Sequence, residues 1–219
     1  VQMEDKNIYI KKNNGQDWYD DKCKQLVDRY RYYCVQISDY YKDISDKELF
    51  SIGRHYGLLT PYLDWTFNPF IATFFAFYEL YKKLEFNHNF NSSFKEGYVT
   101  VWRLNLWPEL NKNKNNFEIF TLGSKIGERL NAQEGVFTYL KIAEHSDLES
   151  YLESMNLLNH LERYDIPYEL VEKGLVYLDN MGFNIFTLFP DLGGAAAQSN
   201  IEIKKLHDTY IMKEAFNDK

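Results

Sequence analysis

The chain has 219 residues, 45% of them hydrophobic, which is enough to bury a sizeable core and too many for an intrinsically disordered chain. Eighteen Tyr, 16 Phe and 4 Trp make 17% of the chain aromatic, so the core is built on rings. With 25 Lys plus Arg against 32 Asp plus Glu, the formal charge of −7 repels a phosphate backbone and argues against broad nucleic-acid affinity.

A polar opening, residues 1–17 with Lys11 to Gly15 at its end, leads into a long amphipathic helix placed from about Trp18 to Lys42 by the spacing of Leu26, Tyr30, Tyr33, Ile37 and Tyr40. Cys23 and Cys34 fall in this helix about 16 Å apart along its axis, too far to bridge, and with no CxxC pair they read as free thiols of a reducing, cytoplasmic setting. Ser45-Asp46-Lys47-Glu48 is a capping box for a short helix carrying Leu49, Ile52 and Tyr56 and ended by Gly57. The segment from Leu58 to Trp65 lacks helical period and is read as extended or looped. It delivers the chain into a helix with Phe70, Phe74, Phe77 and Tyr81 on one stripe, read as core.

Two Asn-rich stretches, Phe86 to Lys95 and Asn111 to Asn116, read as surface insertions. Tyr98 to Leu106 and Gly135 to Ile142 are strand candidates. Ser146-Asp147-Leu148-Glu149 reads as a second capping box, starting a helix through roughly Leu161 with Leu148, Tyr151, Leu152 and Met155 as its apolar stripe. Pro167 suits the first turn of a further helix and Gly182 its C-terminal cap, and Ile201 to Phe216 closes the chain as a helix. The sum is one α+β domain over 1–219, with helices packed on a small, mainly antiparallel sheet. No apolar run reaches the ~18 residues of a membrane span. The start at Val1, without Met or an apolar leader, is read as that of a fragment or trimmed product.

The chemistry concentrates in Arg54 to Ala76. Asp64-Trp65-Thr66 directly before an aromatic helix places a carboxylate and a hydroxyl where a helix N-terminus holds a polar ligand, and the same residue types also serve simply as N-caps. His88, His145, His160 and His207 have no metal-ligand spacing. The Gly193-Gly194-Ala195-Ala196-Ala197 run lacks the Lys-Ser/Thr of a P-loop and reads as a turn opening a small-residue helix, with Asp191 as a turn or cap residue. No nucleophile elbow is present.

HYGLLTPYLDWTFNPFIATFFA, from His55 to Ala76, resembles the signature of the FRG domain family. Arg129 to Phe137 (RLNAQEGVF) is similar to that family's alanine-glutamine-x-glycine-x-phenylalanine strand, and Ile166-Pro167 through Leu188-Phe189-Pro190-Asp191-Leu192 to its closing helix and turn. The blocks run in order over about Leu49 to Leu192. Pro61 stands where the family usually has arginine, Arg54 where it usually has glutamine, and the Phe-Arg-Gly motif that names the family is absent; the strand that bears it in the family would precede Val1.

FRG domains resemble ADP-ribosyltransferases, which implies a split-sheet fold and NAD as substrate; the histidine spacing gives no expectation of a metal. Under that resemblance Asp64, Trp65 and Thr66 border the nicotinamide ribose and Tyr56 and Tyr62 stack. His55 is read as a packed histidine that joins this cofactor-binding set. Gln133 or Glu134 stands at the catalytic-strand position, where a neutral amide stabilises a developing cation less than a carboxylate does. Alternation along a strand keeps those two from facing one cleft. The implied activity is transfer of ADP-ribose to a protein or nucleic-acid acceptor, as a toxin or antiphage effector. The alternative is a non-enzymatic sensing or protein-interaction module with the same fold.

Overall fold

The computed structural model describes residues 15–86, 97–105, 116–122, 128–142 and 147–217, with side chains described except at 84–86 and 205–217. In chain order the elements are α1 (Gln16–Ile37), a 3-10 turn (Asp39–Lys42), α2 (Asp46–His55), β1 (Tyr62–Thr66), α3 (Pro69–Phe86), β2 (Tyr98–Leu104), β3 (Phe117–Phe120), α4 (Glu128–Ala132), β4 (Gly135–Leu140), α5 (Leu148–Ser154), β5 (Leu161–Pro167), α6 (Val171–Asn180), α7 (Ile185–Leu188) and α8 (Leu192–Asn217). The architecture is α+β, as the pattern predicts. The chain divides into two compact units, each discontinuous in sequence: Val1–Phe67, Thr100–Gly127 and Gly135–Ile166 form the first; Asn68–Val99, Glu128–Glu134 and Pro167–Lys219 the second.

The first unit is organised by a three-stranded antiparallel sheet of order β1-β4-β3, in which Tyr62 lies opposite Tyr139, Thr66 opposite Gly135, and Phe120 opposite Phe137. Because side chains alternate along a strand, Tyr62, Asp64, Phe137, Tyr139 and Phe120 share one face and Leu63, Trp65, Thr138, Leu140, Phe117 and Ile119 the other. Phe50 of α2 meets Tyr62 edge-on at 5.7 Å on the first face. On the second, Leu148, Tyr151 and Leu152 of α5 bury Phe117, with Leu63, Trp65, Ile119 and Leu140 around them. A sheet wet on neither face needs a helix on each.

Helix α1 buries Tyr19, Cys23, Val27 and Cys34. This corrects part of the expected face: Leu26 and Tyr30 are partly buried beside this stripe, whereas Tyr33 and Ile37 at the end of the helix, and Tyr40 in the 3-10 turn beyond it, are more than half exposed. Both stripes have helical period. The one that wins carries the small, apolar thiols, while tyrosines tolerate water through their hydroxyls. Arg31 then ties the turn after α1 back to the helix, its Nη1 donating to the Ile44 and Tyr41 carbonyls at 2.7 and 2.9 Å and its Nη2 to Asp46 Oδ1 at 2.6 Å.

Helix α2 starts at the expected capping box: the Glu48 amide donates to Ser45 Oγ at 3.2 Å and the Ser45 amide to Glu48 Oε2 at 3.0 Å. It ends in a Schellman motif, with the Leu58 amide on the Gly53 carbonyl at 2.8 Å, the Gly57 amide on the Arg54 carbonyl at 3.1 Å, and Gly57 at φ 88°. The same device stops α5 early. Asn156 takes φ 56°, the Leu157 amide returns to the Leu152 carbonyl at 2.8 Å, and the chain turns into β5 rather than continuing helically to Leu161. Strands β2 and β5 form an antiparallel ribbon in which Arg103 faces Glu162 (3.1 Å) and Thr100 faces Asp165 (2.7 Å). The N-cap of α5 is Asp147, accepting from the Ser150 amide at 2.8 Å; the expected cap Ser146 lies outside the described residues, as do residues 87–95 and 111–115 of the two insertions.

In the second unit α3 buries Ile71, Phe74, Phe77 and Leu80, while Phe70, expected in the core, is half exposed and stacks on Phe183 at 5.5 Å. Gly174 lets α6 approach: a Cβ there would lie 2.2 Å from the Phe77 ring. Gly182, at φ 87°, stands just past the end of α6, as expected of a C-terminal glycine. Helix α8 begins at Leu192, nine residues before the expected start, so the small-residue run is its first turns.

Burial pushes the Cys23 thiol up to about 11. Because both thiols are buried, Cys23 and Cys34 are expected to resist a thiol-specific chromophoric disulfide at pH 8 in the folded chain and to react fully in denaturant.

Candidate functional site

Asp64-Trp65-Thr66 forms the body of β1, hydrogen-bonded to β4, and not the entry to a helix. Neither Asp64 nor Thr66 caps α3. That role falls to Asn68, whose Oδ1 accepts from the Phe70 amide at 3.0 Å, with Pro69 at the first helical position where a missing N–H costs nothing.

Within the first unit, Arg54 Nε donates to Asp64 Oδ2 at 2.7 Å, and the Arg54 side chain is only 13% exposed. The other Asp64 oxygen, Oδ1, and the hydroxyl of Thr60 are buried with no hydrogen-bond partner among the described residues. Trp65 faces the opposite way and donates from Nε1 to Thr138 Oγ1 at 3.0 Å. Tyr62 is 3% exposed inside a cage of Phe50, Phe120, Phe137 and Tyr139, and burial raises its phenol above the ordinary value. His55 lies edge-on to Phe137 at 6.1 Å. Tyr56, just past α2, is 74% exposed.

The strand thus separates the expected cofactor-binding set. Asp64 and Thr66 share the Tyr62 face, Trp65 takes the other, and the recess beside Trp65, Trp102 and Asp64 measures about 30 Å³, room for water rather than a nucleotide.

Gln133 and Glu134 belong to the second unit. They were expected on a strand; they form the turn that follows α4, and β4 begins one residue later. Gln133 Nε2 donates to the Leu188 carbonyl at the end of α7 at 3.0 Å. Glu134 takes φ 48°, is exposed, and accepts from Asn68 Nδ2 at 3.1 Å.

One helical turn earlier, Arg129 pairs through Nε with Asp191 Oδ2, while Asp191 Oδ1 accepts from the Gly193 and Gly194 amides at 2.8 and 3.1 Å and so caps α8. The Arg129 guanidinium also lies 5.2 Å from the Phe189 ring centre. Gly194 is required here, since a Cβ would sit 1.8 Å from the Phe189 carbonyl oxygen. Arg129 first, then the Gly194 amide, holds the Asp191 carboxyl down at about 2. Three polar ties therefore join the sequence blocks around Asn68, Arg129 to Glu134, and Leu188 to Gly194.

Residues 7–85 match the family model described as FRG domain. This segment belongs to the FRG domain family. It spans α1, α2, β1 and nearly all of α3, and with them Arg54, Asp64 and Asn68; the blocks around Gln133 and Asp191 lie beyond it. No curated protein and no solved structure matches the chain. Among the described residues, no group of three or more His, Cys, Asp or Glu side chains is placed to hold a metal ion, and no helix is long and apolar enough to cross a membrane.

Arg54, Asn68 and Arg129 were given no catalytic or cofactor-binding role by the sequence. Arg54 directly precedes the His55–Ala76 motif, Asn68 lies inside it and Arg129 opens the RLNAQEGVF block, and each makes a hydrogen bond to another motif residue.

Asp191 is held below its ordinary value of 3.8, so its contribution to stability is complete above pH ~4 and lost as the pH falls through about 2. Urea midpoints of Asp191→Asn and the parent chain are expected to differ clearly at pH 7 and to converge near pH 2. Gly194→Ala is expected to destabilise the chain by more than about 2 kcal/mol, measured by the same titration, because the Cβ meets backbone rather than a mobile side chain.

Proposed function

We propose that this FRG domain is a non-enzymatic binding module of the sensing or interaction type. The observation that carries the reading is the side-chain amide of Gln133. At the position where a transferase would hold a carboxylate against a developing ribosyl cation, the chain has an amide, and that amide is committed to the Leu188 carbonyl. Tyr62, the natural stacking ring, is sealed in the core.

Other features support binding rather than chemistry. The outer face of α1 and the turn after it expose Tyr32, Tyr33, Ile37 and Tyr40, an aromatic surface of the kind that proteins use for one another. With a charge of −7 the partner class is protein rather than nucleic acid.

One observation favours a second reading, ADP-ribosyl transfer from NAD to a protein or nucleic-acid acceptor. Glu134 is an exposed carboxylate held in a left-handed backbone conformation, at a cost of about 1 kcal/mol that a purely structural turn with Gly would avoid. In that reading nicotinamide leaves with the electron pair of its bond to the ribose, Glu134 steadies the cationic ribose, and the acceptor's nucleophile closes the new bond.

The two readings separate on nicotinamide release and ADP-ribose incorporation, measured with millimolar NAD over hours. The binding-module reading expects background levels for both the parent chain and Glu134→Gln. Release by the parent that Glu134→Gln abolishes would replace it with the transferase.

A further inference from the structure

The second unit contains a cavity of about 550 Å³ bounded by α3, α6, the Gln198–Lys204 stretch of α8 and the 3-10 turn Tyr168–Leu170, and neither Gln133 nor Asp191 lines it. Its size is that of a small-molecule site. One wall is a run of parallel rings along α3. Phe74 and Tyr78 stack with centres 5.5 Å apart and planes within 13°, and Tyr78 and Tyr81 follow at 6.4 Å and 19°. Tyr168 and Phe183 contribute further rings.

The rim is acidic. Glu169 and Glu172 are exposed and have no ion-pair partner among the described residues, and Asp179, which accepts from Asn184 Nδ2 at 3.0 Å, adds a third carboxylate. Among the described lining residues the one ammonium is that of Lys204. It lies 5.5 Å from the centre of the Tyr81 ring, and Lys82 lies 5.0 Å from that of Tyr78. The ring faces of this wall therefore already hold cations. Their quadrupoles are negative at the face, and the carboxylates around them deepen the potential.

We infer that this cavity binds an amphipathic organic cation, an aromatic or alkyl amine or quaternary ammonium, with its apolar body against Phe74, Tyr78 and Phe183 and its charge beside Glu169 and Glu172. A dinucleotide is disfavoured, because a pyrophosphate there meets the carboxylates of Glu169 and Glu172. Cation binding at this cavity is independent of whether the chain is a binding module or a transferase.

Lys204 separates the cation reading from its opposite. A resident ammonium competes with a cationic ligand for the ring face and repels it, whereas it would anchor an anionic one. Titration of the full chain with phenethylammonium, followed by calorimetry and by tyrosine fluorescence, is compared with neutral 2-phenylethanol and anionic 3-phenylpropionate. Phenethylammonium is expected to bind saturably and about tenfold more tightly than the alcohol. The pair Glu169→Gln and Glu172→Gln is expected to weaken it about tenfold, and Lys204→Met to tighten it several-fold. All three positions are exposed, so an unchanged urea midpoint shows that the variants are folded. Preference for the propionate, loss of binding in Lys204→Met, or no saturable binding of phenethylammonium by the folded parent chain overturns the inference.

Discussion

A polar side chain that leaves water must recover its hydrogen bonds inside the protein, and in both units that constraint decides where the motif residues sit. Arg54 and Asp64 join the end of α2 to β1, and Trp65 and Thr138 close β1 against β4 on the other face. In the second unit Asn68 serves α3 and Glu134 together, Gln133 closes α7, and Asp191 answers both Arg129 and the open amides of α8. A motif that reads as a catalytic inventory is in large part a set of mutual ties.

The aromatic excess divides along the same lines. Tyr62, Phe120 and Phe137 fill the sheet's α2 face, where rings at 5 to 6 Å replace the branched aliphatics of an ordinary core. The parallel rings along α3 line a cavity instead, and the tyrosines at the end of α1 face water. A single composition thus covers packing, a ligand-sized wall and an exposed surface, and the difference lies in what stands opposite each ring.

Much of the fold was legible in the chain. The Ser45 capping box, the glycines past α2 and α6, and the alternation in β2 and β4 each carry a local signal that tertiary packing leaves intact. The failures have local causes too. Helix α1 offers two stripes of equal period, and only the neighbours it packs against choose between them. Asn156 ends α5 through a left-handed residue that helical periodicity does not register. The placement of Gln133 and Glu134 on a strand rested on the family resemblance; the strand read from the residues starts at Gly135, as β4 does. The ties from Arg54 to Asp64 and from Arg129 to Asp191 span 10 and 62 residues, and nothing in the spacing of the chain announces the second.

Those ties hold the framework together, and the Arg54–Asp64 pair tests this within a single unit. The decisive measurement is a double-mutant cycle of Arg54→Ala and Asp64→Ala, read by urea unfolding at pH 7. With Arg54 largely buried and the contact at 2.7 Å, the two substitutions are expected to be non-additive, with a coupling of about 1 kcal/mol or more. Additive losses would show that the pair does not hold α2 to the sheet, and the reading of the signature as a framework would fail with it.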